Sequence, residues 1–256
     1  MKRKFSLVMS AAMILSLIAP MTNALAEDIQ TPETASTETI VAEAAASGGT
    51  TYYVDSTIGD DSNSGTSPET HWTTLDKVTA PSFLTGDTIL MKSCSIWNGE
   101  WVWPKGAGTA DAPIKIDKYG GDALPVINGM GIDRGMNYSG AVHLRNQEYW
   151  EIRNLEVTND DDCDVDIDLS RPQGDNSWSS QAETRNGILI IADGDLLNDG
   201  DDGIFDHIYI ENCYVHDVDG PNEWNDTFTG GIIYNVVGTK IRPNTSFRDI
   251  RIAFNT

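Results

Sequence analysis

Short runs of apolar and β-branched residues, separated by Gly, Pro or Asp, make up most of the chain after residue 50. Residues 88–91, 114–116 and 126–127 are such runs, and their composition is typical of short β-strands. Residues 73–78 are compatible with a short helix, but no later segment keeps an apolar period of 3.6 residues. The pattern therefore predicts an all-β fold and argues against alternating strands and helices.

An internal repeat organises the second half of the chain. Residues 150–157 and 208–215 both follow the pattern apolar-x-Ile-x-Asn-apolar-x-Val, and a third copy begins at Ile250. A second type of strand precedes each copy, at residues 141–144, 187–190 and 231–234. Self-similarity of this kind indicates a stack of coils, each made of strand, loop, strand, tight Asn turn, strand and loop.

The repeat also predicts which residues lie above one another in successive coils. Asn154 and Asn212 fall where two strands meet at a sharp corner, and Asn tolerates the left-handed conformation that such a corner needs. Inward columns are expected to contain Ile152, Ile210 and Ile252, and Val142, Ile188 and Ile232. The same alignment gives Cys213 a place in the core.

The cysteines are few and widely spaced: Cys94, Cys163 and Cys213. This odd number does not form a disulfide framework, and the spacing does not match a zinc site, although one bridge is possible.

Several motifs from Tyr52 onward resemble the pectate-lyase-like superfamily of right-handed parallel β-helix proteins. These motifs are Tyr52-Tyr53-Val54, Gly59-Asp60, Gly86-Asp87-Thr88-Ile89-Leu90 and Pro125-Val126-Ile127-Asn128-Gly129. The resemblance implies a right-handed parallel β-helix, an all-β solenoid, over residues 51–256. It also implies that the short helix at residues 73–78 caps the first coil. Because residues 250–256 begin a further strand, we expect the solenoid to be truncated at its carboxyl end.

The amino terminus is interpreted as a targeting segment. Lys2, Arg3 and Lys4 precede an apolar run at residues 5–19, and Ala24-Leu25-Ala26 is a small-x-small cleavage motif. Residues 1–26 are therefore predicted to be a secretory signal peptide, and the protein to be secreted. Residues 27–50 are rich in Ala, Thr, Glu and Ser, have no apolar period, and are predicted to be a disordered linker.

The charge of the chain limits its partners. The formal net charge is −22, and cleavage of the signal peptide would remove three positive charges. A surface this acidic repels nucleic acid and anionic membranes, and it repels polyanionic sugars unless a cation bridges the two. No segment after the signal peptide is long and apolar enough to span a membrane. We therefore expect a monomer that meets a polysaccharide and binds no nucleic acid.

The best catalytic candidates from the sequence are His143 and Arg145. The resemblance implies that substrate lies along the strand face that contains residues 141–145, 187–191 and 231–235, and these two side chains are predicted to point outward there. The alternative is that both are ordinary surface residues. Trp97, Trp101 and Trp103 could likewise form a sugar-stacking face or pack the first coils.

Two acidic segments are candidates for binding calcium. If residues 162–169 form a strand, alternate aspartates share one face and repel one another unless a cation offsets their charge. Calcium takes several carboxylate oxygens, which makes it the natural candidate. The predicted ligands are Asp160, Asp162, Asp164, Asp166, Asp199, Asp201 and Asp202. The alternative is a pair of solvated acidic loops.

These observations predict an extracellular protein that acts on polysaccharides. The main hypothesis is a calcium-assisted lyase of the pectate type, which the resemblance suggests. The alternatives are a glycoside hydrolase on the same fold and a non-catalytic carbohydrate-binding or cell-surface protein. Residues 200–203, Gly-Asp-Asp-Gly, weakly resemble the acidic pair of polygalacturonase-type hydrolases. Fold alone does not decide among these classes.

Overall fold

The computed structural model describes residues 48–131, 139–160, 185–218, 229–239 and 245–256. The predicted signal peptide and nearly all of the predicted linker lie outside these ranges and stay predictions. The strands of the first half are β1 (Thr51–Val54), β2 (Thr88–Lys92), β3 (Ile96–Asn98), β4 (Ile114–Tyr119), β5 (Val126–Asn128) and β6 (Ser139–Arg145). The remaining strands are β7 (Trp150–Arg153), β8 (Glu156–Asn159), β9 (Arg185–Asp193), β10 (Ile204–Glu211), β11 (Tyr214–Val218), β12 (Gly230–Val237) and β13 (Ser246–Ala253).

These strands form three parallel sheets. The first sheet has the order β1-β2-β4-β7-β10-β13, the second β11-β8-β5-β3, and the third β12-β9-β6. From β4 onward the chain visits the first, second and third sheets in that order and then returns to the first. Every pairing between these strands is parallel, as in Ile152↔Ile210 and Ile188↔Ile232. The predicted all-β class is confirmed.

The inward columns occur in the predicted register. Ile210 pairs with Ile152 on one side and Ile252 on the other, and Ile188 lies between Val142 and Ile232. Ile152, Ile188 and Ile210 are fully buried in a core that runs between the sheets. Cys213 is buried in the same core, and burial raises the pKa of its thiol to about 11. This packing confirms the core position predicted for Cys213.

A short helix, α1, forms in the predicted region but with different bounds, at Asp76–Thr79. The helix begins three residues after the predicted start, because a side chain binds the backbone amides of the residues before it. The Asp61 carboxylate accepts hydrogen bonds from the Thr73 and Thr74 amides at 2.8 and 3.0 Å, which holds these two residues outside the helix. Leu75 and Val78 are buried with the core residues beside β1. In the described ranges, no helix is long and apolar enough to cross a membrane.

Candidate functional site

The outer face of the third sheet is the face on which the sequence placed its catalytic candidates. Two rows of side chains cross it, His143↔Leu189↔Ile233 and Arg145↔Ile191↔Asn235. Leu189 and Ile191 are buried and form a small second core with Val237, against which Ile233 packs. The middle of this face is therefore apolar and covered.

His143 is buried and stacks on Trp103, with ring centroids 4.7 Å apart. Burial, together with the nearby Arg145 charge, lowers the His143 pKa to about 3, so its imidazole is neutral at ordinary pH. Its Nε2 atom is buried and has no hydrogen-bond partner among the residues that the structure describes. A neutral imidazole with an unpaired ring nitrogen can accept or donate one hydrogen bond. The catalytic role predicted for His143 stays a prediction.

Arg145 holds together the end of β6 and the end of β9. Its guanidinium forms an ion pair with Asp193, and the Nε–Oδ2 distance is 3.1 Å. Asn146 adds a reciprocal pair: its Nδ2 donates to the Asp193 carbonyl at 3.0 Å, and its Oδ1 accepts from the Asp193 amide at 2.6 Å. These bonds support a structural role for Arg145 and leave its predicted catalytic role a prediction.

The same junction fixes the loop between β9 and β10. After Asp193 the chain makes one turn of 3-10 helix at Gly194–Leu196. The Asp195 carboxylate then accepts a hydrogen bond from the Thr239 amide at 2.8 Å, just after β12. The loop is thus tied to all three strands of the third sheet, which gives its remaining residues a defined position.

This loop and the β6–β7 turn form an open cleft of about 420 Å³. Its polar lining includes Asn146, Glu148, Asn198, Asp201 and Asp202. Its apolar lining is Ala107, Leu196, Leu197, Ile204 and Phe205. The cleft is open to solvent, and polar and apolar side chains contribute about equally to its lining.

Glu148 is the group in the cleft with a perturbed pKa. Burial raises the Glu148 pKa, and the nearby charges of Asp202 and Asp206 raise it further, against the effects of an Asp206 backbone hydrogen bond and Arg248. Burial and the neighbouring acidic groups thus disfavour the charged form of Glu148 relative to a solvent-exposed glutamate. Sequence analysis missed Glu148 because it lies in no motif and its acidic neighbours are more than fifty residues away.

The structure describes four of the seven predicted calcium ligands. Asp162, Asp164 and Asp166 lie outside the described residues, whereas Asp160, Asp199, Asp201 and Asp202 lie within them. Asp201 accepts a hydrogen bond from the Asn198 amide at 2.7 Å, and Asp202 accepts one from the Ile204 amide at 2.9 Å. These two carboxylates cap turns of their own loop. Across the described ranges, no group of three or more His, Cys, Asp or Glu side chains could hold a metal ion.

The sequence left open whether the tryptophans form a sugar-stacking face or pack the first coils. Trp97 is buried in the core, and its indole Nε1 donates to the Thr73 carbonyl at 2.8 Å. Trp103 is half-buried and lies against His143 at the edge of the third sheet. Trp97 therefore packs the interior, and the three side chains do not form a single exposed platform.

Comparison with known proteins gives no matching family model. A lacto-N-biosidase from Bifidobacterium longum subsp. longum is 34% identical over 218 residues, which cover 73% of this chain and 13% of the relative. The crystal structure of a GH136 lacto-N-biosidase from Eubacterium ramulus matches with a TM-score of 0.63 and 24% identity, over 80% of this chain and 34% of that one. The chain thus spans a minor part of the length of these proteins.

These comparisons correct the resemblance inferred from sequence. The pectate-lyase-like assignment is wrong, because the similar proteins are lacto-N-biosidases of GH136. An alginate lyase from Paenibacillus matches with a TM-score of only 0.31, which supports no relation. The motifs misled because Gly-Asp turns and short Val/Ile runs are needed wherever a chain turns sharply between buried parallel strands. They report local backbone geometry and do not identify a reaction.

Proposed function

We propose that this chain belongs to a glycoside hydrolase that acts on oligosaccharides, with lacto-N-biosides as the first substrates to test. The observation that carries the proposal is the 34% identity with a lacto-N-biosidase over 73% of this chain. The similar fold of a second lacto-N-biosidase supports it. Hydrolysis was one of the alternatives that the sequence left open, and it now replaces the lyase hypothesis.

The direct test is to incubate the protein with a chromogenic lacto-N-bioside and measure release of the chromophore. A chromogenic galactoside is the matched control, because it differs in the sugar that has to be bound. Release from the lacto-N-bioside alone is the expected result. If neither glycoside is cleaved and lacto-N-biose binds, the non-catalytic alternative is correct; if lacto-N-biose does not bind either, the proposal fails.

We infer that the cleft beside Glu148 contributes to sugar binding. Its carboxylates, Glu148 among them, offer acceptors for hydroxyl groups, next to the apolar side chains of Leu196 and Phe205. The Glu148→Gln variant removes the carboxylate charge and replaces one acceptor oxygen by a donor, but it keeps the shape of the side chain. Lacto-N-biose should bind this variant about tenfold more weakly, which corresponds to the loss of one good hydrogen bond. The exposed Asp111→Asn variant should bind normally, and unchanged binding by Glu148→Gln would rule out the cleft.

We propose that the three sheets wind as a right-handed parallel β-helix. The fixed order in which the chain visits the sheets and the parallel register of the inward columns support this arrangement. Crossover connections between parallel strands are almost always right-handed, which favours that hand. A crystal structure in which successive strands of the first sheet are joined by left-handed connections would contradict it.

Secretion and calcium binding stay predictions. Amino-terminal sequencing of the exported protein should begin at Glu27 if residues 1–26 are a signal peptide. Calorimetric titration with calcium tests the acidic segment of Asp162, Asp164 and Asp166. Because Asp201 and Asp202 cap their own loop, Asp201→Asn should leave any calcium binding unchanged.

A further inference from the structure

Trp103 lies beside β6, the first strand of the third sheet along the chain. Val102 forms a parallel bridge with Val142, so this short segment continues the sheet past β6. The Val102 amide donates to the Ala141 carbonyl, and the His143 amide donates to the Val102 carbonyl, both at 2.8 Å. Val102 itself is fully buried in the core. Because side chains alternate along an extended chain, Trp103 lies on the outer face, level with His143.

The indole of Trp103 is held in a fixed position. One of its faces packs on the His143 ring, with the ring planes 11° apart and the centroids 4.7 Å apart. His143 is next to Leu189 on β9, and both of these side chains are buried. The Trp103 amide also donates to the Thr79 hydroxyl at 3.1 Å. A ring that is supported in this way loses little conformational freedom when a ligand packs against it.

The other side of the indole is not occupied by a described aromatic side chain. Trp103 is half-buried, and no second aromatic ring of the described residues packs against it. Its Nε1 atom is not buried and makes no hydrogen bond with any described residue. Trp97 differs, since its Nε1 binds the Thr73 carbonyl inside the core. Trp103 therefore offers an apolar surface and a hydrogen-bond donor, which suit a sugar ring with its apolar face and its hydroxyl groups.

Arg145 lies between Trp103 and the cleft. Its Nε and Nη2 atoms donate to Asp193, which leaves other N–H groups of the same guanidinium for further acceptors. The Arg145 charge is close enough to His143 to contribute to the low pKa of that ring. Glu148, which lines the cleft, follows Arg145 by three residues. A ligand that extends from the cleft along β6 would thus meet Arg145 and then Trp103.

We propose that Trp103 stacks on one sugar ring of an oligosaccharide whose other end occupies the cleft beside Glu148. The ligand is an uncharged chain of pyranose rings, because a strongly acidic protein repels anionic chains. A ligand that reaches both places has to be longer than one that only fills the cleft. The proposal rests on the proposed function for its class of ligand. It adds a sugar subsite and a preference for oligosaccharides longer than a disaccharide.

The test measures how the affinity of the full chain depends on ligand length. One ligand is lacto-N-biose, and the other is a neutral tetrasaccharide that carries lacto-N-biose through a sulfur linkage that resists hydrolysis. Calorimetry should show that the unaltered chain binds the tetrasaccharide more tightly. Trp103→Ala should weaken tetrasaccharide binding about 10- to 100-fold, as expected for one well-packed aromatic contact, and leave lacto-N-biose binding unchanged. Trp103→Phe keeps an aromatic ring and should lose less.

The matched control is Tyr214→Ala. Tyr214 also stacks on a histidine, His216, with centroids 3.9 Å apart, and is 40% exposed, but it lies in the second sheet. Its replacement should change neither affinity. Tryptophan fluorescence adds a readout that a purely structural role would not affect: the tetrasaccharide should alter the emission of the unaltered chain, and Trp103→Phe should remove that change. Circular dichroism melts of the three variants exclude misfolding as the cause.

The other outcomes overturn the inference. If Trp103→Ala keeps the original ratio of the two affinities, Trp103 does not bind the additional sugars. If it weakens both ligands equally, Trp103 forms no separate subsite. Hydrolysis of the chromogenic lacto-N-bioside by the unaltered chain is measured separately. Cleavage together with either result means that only the Trp103 inference fails, whereas a chain that neither binds nor cleaves these sugars contradicts the proposed function as well.

Discussion

At the scale of single residues, one corner of the stack repeats an unusual backbone conformation. Asn154, Asn212 and Phe254 occupy equivalent places after β7, β10 and β13, and their φ angles are 55°, 55° and 58°. The Asn154 and Asn212 amides donate to Glu211 and Ala253 carbonyls on the next strand, so the corner joins neighbouring strands. Asn adopts this left-handed conformation at little cost, whereas Phe254 has no such preference. The path of the chain between the two strands therefore requires the left-handed conformation, and Asn only lowers its cost.

The two asparagines allow a matched test of this corner. Asn154 differs from Asn212 in one contact: its Nδ2 donates to the Asp117 carboxylate at 2.6 Å. Replacement of either by Ala should cost about 1 kcal/mol for the left-handed backbone. Asn154→Ala should cost about 1–2 kcal/mol more, because a hydrogen bond to a charged group is lost. Urea denaturation of the two variants measures the difference, and equal losses would show that the Asp117 contact contributes nothing.

At the scale of elements, the segment before α1 depends on carboxylates for its shape. The Asp61 carboxylate binds the amides of Thr73 and Thr74 and the Thr74 hydroxyl, the last at 2.6 Å. The Glu100 carboxylate likewise accepts a hydrogen bond from the next backbone amide, that of Leu75, at 2.7 Å. These bonds place Leu75 and Trp72 against the core beside β1. A short helix covers this end because acidic side chains position the residues in front of it.

This arrangement predicts a specific dependence of stability on pH. Partial burial acts to raise the Asp61 pKa, but the hydrogen bonds from Thr74 and Thr73 outweigh it, and the pKa is lowered in the folded state. The stabilisation is therefore complete above the unfolded pKa of about 3.9 and is lost as the pH falls through the lower, folded pKa. Asp61→Ala should lower the free energy of unfolding by about 1–3 kcal/mol near neutral pH.

The control for this prediction is Asp111→Ala, since Asp111 is exposed. Thermal melts from neutral to strongly acidic pH should show that the difference between the two variants begins to shrink below about pH 4, near the unfolded pKa, and disappears as the pH falls through the lower pKa of folded Asp61. A constant difference between them at every pH would mean that the charge of Asp61 has no part in stability.

At the scale of the whole molecule, the sequence predicted the repeating features of the fold. It did not predict the cleft, whose residues come from distant segments of the chain. The strand repeat, the inward columns and the corner asparagines follow from alternation and turn chemistry, which act over a few residues. The cleft could not be predicted, because Glu148 and Asp202 are more than fifty residues apart in the sequence and line one cleft only in the folded chain. The burial of Leu189 on the outer face of the third sheet could not be predicted either, because the alternation of residues along a strand does not show what covers the sheet.

A column of stacked side chains should be less stable at an edge strand, where each residue has fewer neighbours. Ile210 is enclosed between Ile152 and Ile252, whereas Ile252 pairs on one side only among the described strands and is half-exposed. Ile210→Ala should therefore cost about 2–5 kcal/mol in the free energy of unfolding, and Ile252→Ala less than about 1.5 kcal/mol. Ile152→Ala, in the same column, should resemble Ile210→Ala.

Hydrogen exchange distinguishes this gradient from a uniform loss of stability. Ile252→Ala should accelerate exchange in β13 and leave β4 and β7 protected, because an edge strand with half-exposed interior residues unfolds locally at lower free energy than the centre. Ile210→Ala removes contacts with strands on both sides, so it should accelerate exchange throughout the first sheet. If both variants accelerate exchange equally in all strands, the sheet unfolds as one cooperative unit and has no gradient of local stability.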